Sequence, residues 1–273
     1  MKKTHLLRNL LPFALVSLTM VSCQKEKDND YSSANDNALA ERMYSDMESI
    51  SDQAADGNLI SFKNGIDQTI MGTCATITHD TTVTPHVLTI DFGTTNCTCN
   101  DGRKRRGKIL VSYSGRYREQ GSVHTITTDG YYVDDYKVDG TKSVTNMGRN
   151  ASNNLYYAIS VDGTVTSPDG KTATWKSDRE REWVAGESTL INWLDDEYMI
   201  SGTASGTGAN GKNYSASILK PLHVELDCRW ITSGSFELTP EGNDPITADY
   251  GNGNCDNQAT VEYRGKVYNI VLR

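Results

Sequence analysis

From Thr69 to the end of the chain, short runs rich in Thr, Val, Ile and Tyr alternate with turn signals. The turns include Asp129-Gly130, Asp139-Gly140, Pro168-Asp169-Gly170 and Asn210-Gly211. Alternating apolar and polar side chains between such turns are typical of antiparallel strands. The sequence therefore predicts an all-β fold, an antiparallel meander that forms a sandwich or a barrel.

A helical pattern precedes the strands. Apolar residues recur there at spacings of three and four, at Leu39, Met43, Met47, Ile50 and Ala54. Residues 35–37 are candidate N-caps and Gly57 is a candidate C-cap. We expect one N-terminal amphipathic helix whose apolar stripe packs on the sheet; the alternative is a helix that binds a partner.

Two stretches of the chain repeat one another. The chain reads TIDFGTTNC at residues 89–97 and TADYGNGNC at residues 247–255, and nine residues after the last cysteine of each comes Arg-Gly-Lys-aliphatic. Matched blocks in the same order indicate an internal duplication. We expect repeats near residues 74–110 and 228–268 within a single β-rich domain that spans residues 36–273.

Residues 1–22 predict a signal peptide. Lys2, Lys3 and Arg8 form a basic start, and the mostly apolar run at residues 10–21 is shorter than the roughly 20 residues that a membrane-spanning helix needs. The folded part of the chain is therefore expected to begin after this segment.

The sequence that follows predicts a lipid anchor. Met-Val-Ser-Cys at residues 20–23 resembles the lipobox of bacterial lipoproteins, with Met20 in place of the usual leucine. We expect Cys23 to carry the acyl chains, palmitate among them, which attach the protein to the outer membrane. Residues 23–35 would form a polar tether, and its charged part at residues 25–30 looks like the export tag of surface lipoproteins.

The cysteines can be assigned from the repeats, because cysteines outside the cytoplasm usually pair. Alignment places Cys74 opposite Cys228 and Cys97 opposite Cys255, whereas Cys99 falls opposite an asparagine. We predict disulfides Cys74–Cys97 and Cys228–Cys255 and a free thiol at Cys99. Pairing of Cys74 with Cys99 is the open alternative, because alternate residues of a strand point the same way.

Charge excludes one class of partner. Loss of the three positive charges in residues 1–22 takes the formal net charge from -8 to -11. An acidic domain is a poor partner for nucleic acid, whose phosphates bind Lys and Arg. The one basic run, at residues 103–106, is expected in a solvated loop.

Several segments resemble an uncharacterised family of Bacteroidetes-type surface lipoproteins. The likeness is carried by TIDFG, RRGKI, YYVDDYKVDGT, REREWVAG, SGTASGT, NGKNY and the closing DYGNGNCDNQATVEYRGKVYNI. It covers most of the chain from about residue 70. The resemblance implies a surface location and an all-β fold, and it carries over no catalytic residue.

The densest run of aromatic and charged residues lies at residues 175–198. In one strand, alternation would place Trp175, Arg179, Arg181 and Trp183 on one face and Asp178, Glu180 and Glu182 on the other. Aromatic rings beside carboxylates suit glycan binding or glycoside hydrolysis, in which two acids flank the bond. The alternative is a core with tryptophans and stacked, ion-paired arginines. The candidate ligand-binding residues are Trp175, Trp183, Trp193, Asp195 and Asp196.

The remaining sequence patterns do not indicate a catalytic activity. Residues 206–212 match a nucleotide-binding glycine pattern, but no helix pattern follows, so a hairpin turn is expected. Asp91 and Asp249 would form a carboxylate pair across the repeats or, alternatively, cap their turns. The sequence has no metal-ligand spacing and no cofactor motif, so we expect neither a bound metal nor a cofactor. The predicted function is binding or structural, with a glycan or protein partner; the alternative is a glycan hydrolase with acids from residues 178–197.

Overall fold

The computed structural model describes residues 32–55, 70–189, 195–228 and 230–271. They form one helix and fourteen strands: α1 (Ser32–Ala55), β1 (Thr76–Asp80), β2 (His86–Asp91), β3 (Cys97–Thr98), β4 (Lys104–Tyr113), β5 (Val123–Val133), β6 (Tyr136–Arg149), β7 (Leu155–Thr166), β8 (Thr172–Ala185), β9 (Glu197–Thr207), β10 (Asn213–Glu225), β11 (Ile231–Pro240), β12 (Ile246–Asn252), β13 (Gln258–Tyr263) and β14 (Lys266–Val271). Within these ranges, no helix has both the length and the apolarity needed to cross a bilayer.

All strands belong to one antiparallel sheet. Neighbours in sequence are neighbours in the sheet, except that the two-residue β3 pairs only with β4. β1 and β14 are the two edges among the described strands, so the sheet is not closed into a barrel. The predicted all-β meander with one packed helix is confirmed, and its architecture is sandwich-like.

The sheet curls around α1, which contacts strands as far apart as β2 and β11. Of the predicted stripe, Met43, Met47, Ile50 and Ala54 are buried, and Leu39 is partly buried. The exposed positions are spaced three and four apart along the opposite side of the helix, at Asn35, Ala38, Arg42, Ser45 and Ser49. One narrow, mostly polar stripe thus faces solvent while the rest of α1 lies in the core.

α1 begins earlier than the capping pattern predicted, at Ser32. Two of the three residues expected to cap it contact the β9–β10 turn and β8 instead. Asp36 Oδ2 accepts the Ala209 N–H at 2.8 Å, and Asn37 Oδ1 accepts the Trp175 indole N–H at 2.9 Å. The side chains that the sequence pattern predicts as N-caps therefore form tertiary hydrogen bonds. The candidate C-cap, Gly57, lies outside the described residues.

A notch in the sheet receives Tyr44. Its ring stacks on Trp175 with centroids 5.5 Å apart, and its hydroxyl donates to the Asp139 carbonyl at 2.6 Å. Gly163 lies directly beneath, and a Cβ there would overlap the Tyr44 hydroxyl. A residue without a side chain is therefore required for α1 to approach this closely.

Acidic side chains of α1 pair with basic side chains on the core face of the sheet. The N···O distances are 3.3 Å for Glu41–Arg179, 2.7 Å for Asp46–Arg105, 2.6 Å for Glu48–Lys142 and 2.9 Å for Glu48–Arg181. Such buried pairs stabilise little by net energy, but breaking one leaves an uncompensated charge. They fix where α1 sits along the sheet.

Each repeat has its predicted disulfide. Cys74 is bonded to Cys97 with Cα atoms 5.6 Å apart, and Cys228 to Cys255 with Cα atoms 5.7 Å apart. Cys99 is a buried free thiol. Pairing of Cys74 with Cys99 is therefore not the arrangement that forms.

The Arg-Gly-Lys blocks of the repeats occupy different structural positions. Residues 106–109 lie inside β4, whereas Arg264 and Gly265, both with positive φ, form the turn between β13 and β14. An identical spacing from the cysteine thus ends in a strand in one repeat and in a turn in the other.

The expected solvated loop at residues 103–106 is wrong, because most of it forms the start of β4. Arg105 is fully buried and donates to Asp101 and Asp46, both at 2.7 Å through Nη2. Burial works to lower the pKa of this guanidinium, but its carboxylate partners outweigh that effect and raise it. The sequence run is basic, but its central charge is neutralised inside the fold.

The turn interpretations agree with the structure. Residues 208–212 connect β9 to β10, and the Gly208 N–H donates to the Lys212 carbonyl at 2.9 Å. Asp91 accepts the Gly93 N–H at 2.8 Å, and Asp249 accepts the Gly251 N–H at 2.9 Å. Both aspartates therefore cap turns.

Candidate functional site

A second apolar cluster lies at one end of the sheet, where β6 and β8 end and β7 begins. It is aromatic in character and consists of Val144, Leu155, Tyr157, Ile159 and Trp183, with Tyr117 and Tyr198 packed against them. Tyr117 and Tyr157 stack at 4.8 Å between centroids. This aromatic end forms the floor of the candidate site.

Two adjoining depressions lie over the aromatic end. One has a volume of about 460 Å³ and is lined by Arg149, Asn153, Asn154, Trp183, Val184, Ala185, Glu187 and Ser188. The other has a volume of about 450 Å³ and is lined by Arg118, Gln120, Gly148, Arg149, Leu155 and Glu187. Arg149 and Glu187 line both depressions, so they form the divide between them, together with Arg118, which bonds to Glu187.

Three charged side chains make that divide. Arg149 donates to both carboxylate oxygens of Glu187, at 2.6 and 3.0 Å, and to the Asn153 carbonyl at 2.7 Å. Arg118 donates to the Glu187 carbonyl at 2.8 Å, and its guanidinium lies 4.3 Å above the Trp183 ring. The hydrogen bonds from Arg149 lower the pKa of Glu187, which is therefore a carboxylate at neutral pH.

The turn between β6 and β7 orders the adjacent rim. Asn150 and Asn154 donate to the same oxygen of Glu182, at 2.7 and 2.8 Å. These two bonds lower the pKa of Glu182. The turn thus presents amide groups held in place by a second carboxylate.

Beneath the depressions, Arg181 is enclosed by aromatic rings. Its guanidinium carbon lies 5.9, 5.3 and 5.0 Å from the centroids of Tyr117, Tyr157 and Tyr198. It also donates to the Tyr117 hydroxyl and pairs with Glu48 of α1. Burial works to lower the pKa of Arg181, but the charge of Glu48 outweighs it. The floor of the site is thereby tied to the helix.

The predicted ligand-binding residues separate in the structure. Trp175 is 3 % exposed and packs on α1, so its ring is not available to stack on a sugar. Trp183 is 4 % exposed, but it lines one depression. Asp195 is exposed and accepts a hydrogen bond from Thr189 at 2.8 Å. Asp196 is buried and accepts one from Tyr198 at 3.2 Å, and burial raises the pKa of Asp196. Trp193 lies outside the described residues.

The predicted alternation of β8 is present. Arg179 and Arg181 face the core and α1, whereas Asp178 and Glu180 are exposed on the outer face. The interpretation of core tryptophans with ion-paired arginines therefore describes this strand. Of the acids at positions 178, 180 and 182, Glu182 is the one that bonds to a residue lining a depression, Asn154.

Sequence reasoning did not single out the residues that form the divide, although Glu187 lies within the range 178–197 named for the hydrolase alternative. Arg118 lies in the loop after β4, Arg149 ends β6, and Glu187 follows β8. No short motif joins them, since Arg149 and Glu187 are 38 positions apart. Only the pairing of the strands brings their loops to one end of the sheet.

No set of three His, Cys, Asp or Glu side chains within the described ranges is placed to hold a metal ion. Comparison of the chain with protein-family models, with curated proteins and with solved structures found no match.

Proposed function

We propose that the chain is a lipid-anchored binding protein of the outer membrane that faces the cell surface. The lipobox-like segment ending at Cys23, the charged tether and the resemblance to Bacteroidetes-type surface lipoproteins support this location. In this proposal the folded domain binds a polar ligand of the glycan class at the two depressions.

One observation carries the binding proposal: two depressions of small-ligand size meet at one polar divide. Arg118, Arg149, Asn153 and Asn154 line the depressions with N–H donors, and Glu187 lines both with its carboxylate oxygens. Neighbouring hydroxyl groups of a sugar suit such planar, paired groups because each can be contacted by two bonds at once. Trp183 lines one depression and supplies an apolar wall for a sugar ring.

The protonation states favour binding over hydrolysis. Glycoside hydrolysis needs one carboxylic acid that holds a proton and a second carboxylate across the scissile bond. Glu182 and Glu187 both have lowered pKa values, so neither is a proton donor at neutral pH. Asp196 has a raised pKa, but it is buried and does not line either depression. The acids of this region are therefore arranged to hold loops and arginines.

The test is binding of the full chain to an array of neutral and acidic glycans, followed by affinity measurement on the strongest ligand. Arg149→Ala removes a charged donor from both depressions and should weaken that affinity about tenfold or more, since hydrogen bonds to charged groups contribute about 1.5–3 kcal/mol. Lys176→Ala is the matched control, because Lys176 forms an exposed ion pair with Asp162 on the outer face. It should leave the affinity unchanged.

Equal affinity of the Arg149→Ala variant and the parent would refute this site. Release of reducing sugar from a bound glycan would support the hydrolase alternative instead, and Asp196→Asn would then be the variant to examine.

A further inference from the structure

The last strand, β14, exposes apolar side chains at the edge of the sheet. Val267 is 64 %, Tyr268 41 % and Val271 65 % exposed. Among the described strands, β14 pairs only with β13. Unpaired edges of this kind are sites at which another strand adds.

The turn geometry shows which backbone groups of β14 are free. Arg264 and Gly265 form a two-residue hairpin turn, so the flanking residues Tyr263 and Lys266 make the first pair of hydrogen bonds. In an antiparallel ladder, hydrogen-bonded pairs recur at every second residue. The N–H and C=O groups of Val267, Asn269 and Val271 therefore point away from β13.

The two edges of the sheet differ in their apolar content. β1 has the sequence TITHD, with one aliphatic side chain and a terminal aspartate. β14 has the sequence KVYNIV, contains no proline, carries its only charge at its first residue, and pairs with β13 without a register shift. Proteins that avoid edge pairing place charges, prolines or bulges there. β14 lacks these features over residues 267–271.

We propose that β14 pairs antiparallel with β14 of a second copy of this chain, about a two-fold axis at Asn269. In this register, Asn269 of one chain lies opposite Asn269 of the other, and Val267 of each chain lies opposite Val271 of the other. All three outward residues of each chain then make hydrogen bonds, six across the axis. On the other face of the strand, Tyr268 of each chain lies beside Ile270 of the other.

The pattern of β14 argues for a second copy over an unrelated peptide. The proposed register juxtaposes apolar side chains on both faces and brings no like charges together at residues 267–271. An interface that uses the same strand twice closes at two chains, as two-fold symmetry requires. Five residues a side make a small interface, so the dimer is weak and forms best where molecules are concentrated.

The register can be tested by cysteine crosslinking of the full chain with a short bis-maleimide. Asn269→Cys should crosslink to itself, because its two copies face each other at roughly 5.5 Å between Cα atoms. Val267→Cys and Val271→Cys should each fail alone and should crosslink when the two variants are mixed. Thr78→Cys, exposed on β1, is the matched edge control and should not crosslink. The unmodified chain is the blank, since its free Cys99 is buried.

Asn269→Pro provides an independent measurement on the reversible dimer. The Asn269 N–H points away from β13, so the substitution leaves the hairpin intact. It removes two hydrogen bonds across the axis and should weaken self-association about twenty-five-fold, roughly a factor of five for each bond. Equal crosslinking at positions 267, 269, 271 and 78, absence of crosslinking at 269, or an unchanged dimer in Asn269→Pro would each overturn the proposal.

Discussion

At the scale of single residues, the interior of this protein is organised by buried charge. Glu48 is 6 % exposed and Lys142 4 % exposed, and their charged atoms lie 2.6 Å apart. Burial alone would raise the pKa of Glu48, but the charges of Arg181 and Lys142 outweigh burial and lower it to about 2. Glu48 is therefore ionised in the folded protein at neutral pH.

Glu48→Gln should lower the free energy of unfolding by about 3–5 kcal/mol at neutral pH, because two buried cations lose their carboxylate. Urea unfolding followed by circular dichroism measures the change. Glu180→Gln, the same substitution at an exposed position of β8, is the control and should stay within about 0.5 kcal/mol of the parent.

The same pair predicts a pH dependence. The pKa of Glu48 is lower in the folded than in the unfolded chain, so its contribution is full above about pH 4.5 and is lost as the pH falls towards 2. The parent should lose more stability across this window than Glu48→Gln. Parallel stability curves for the two proteins would contradict the assignment.

Sequence reasoning at this scale succeeded where alternation was enough. It placed Arg179 and Arg181 on one face of β8, and the structure has them there. It failed for Arg105, because a run of basic residues gives no sign that its partners, Asp46 and Asp101, will surround one member in the core.

At the scale of elements, the close approach of α1 and β7 depends on one missing side chain. Gly163→Ala would force a methyl group against the Tyr44 ring, and such overpacking costs about 1–3 kcal/mol. Thermal or urea unfolding of the variant measures this loss. Ser160→Ala, on the exposed face of the same strand, is the control and should be nearly neutral.

A double variant identifies the contact. Tyr44→Phe removes the hydroxyl nearest to the added methyl, so Gly163→Ala should cost less in that background than in the parent. Strictly additive losses would mean that the two residues do not meet.

The existence of α1 and its apolar stripe could be read from periodicity, because a stripe depends only on spacing. Its start could not, since Asp36 and Asn37 bond to the sheet. The disulfides followed from the repeat, but the Arg-Gly-Lys blocks did not keep equivalent positions. The alignment of the repeats was enough to predict the cysteine pairs. The pairing of the strands determined where the two Arg-Gly-Lys blocks lie.

At the scale of the whole molecule, attachment to the membrane is a prediction of the sequence alone. Cys23→Ala should release the protein from the membrane fraction or leave it as an unprocessed precursor, because the acyl chains would have no acceptor. Fractionation with immunoblotting measures this, and Cys99→Ala is the control that keeps the processing site. A processed Cys23→Ala variant that stays in the membrane fraction would refute the anchor.

The candidate site could not be predicted at this scale. Its divide needs Arg118, Arg149 and Glu187 from separate segments of the chain, and the sequence contains no spacing that links them. The region at residues 175–198 did attract attention for its composition, and Trp183 and Glu187 from it line the site. Composition thus indicated a region of the chain near the site, but only the folded structure shows which residues line it.

The position of α1 also has a consequence for the order of folding. The helix comes first in the domain, yet Asp36 in its first turns bonds to Ala209, 173 positions later, and α1 contacts β11 beyond it. Contacts this distant in sequence form slowly, because the intervening chain must close first. The helix should therefore acquire its full packing only once β11 is in place, so a nascent chain that stops before β11 leaves uncovered the part of α1 that packs on that strand, where chaperones and proteases can reach it.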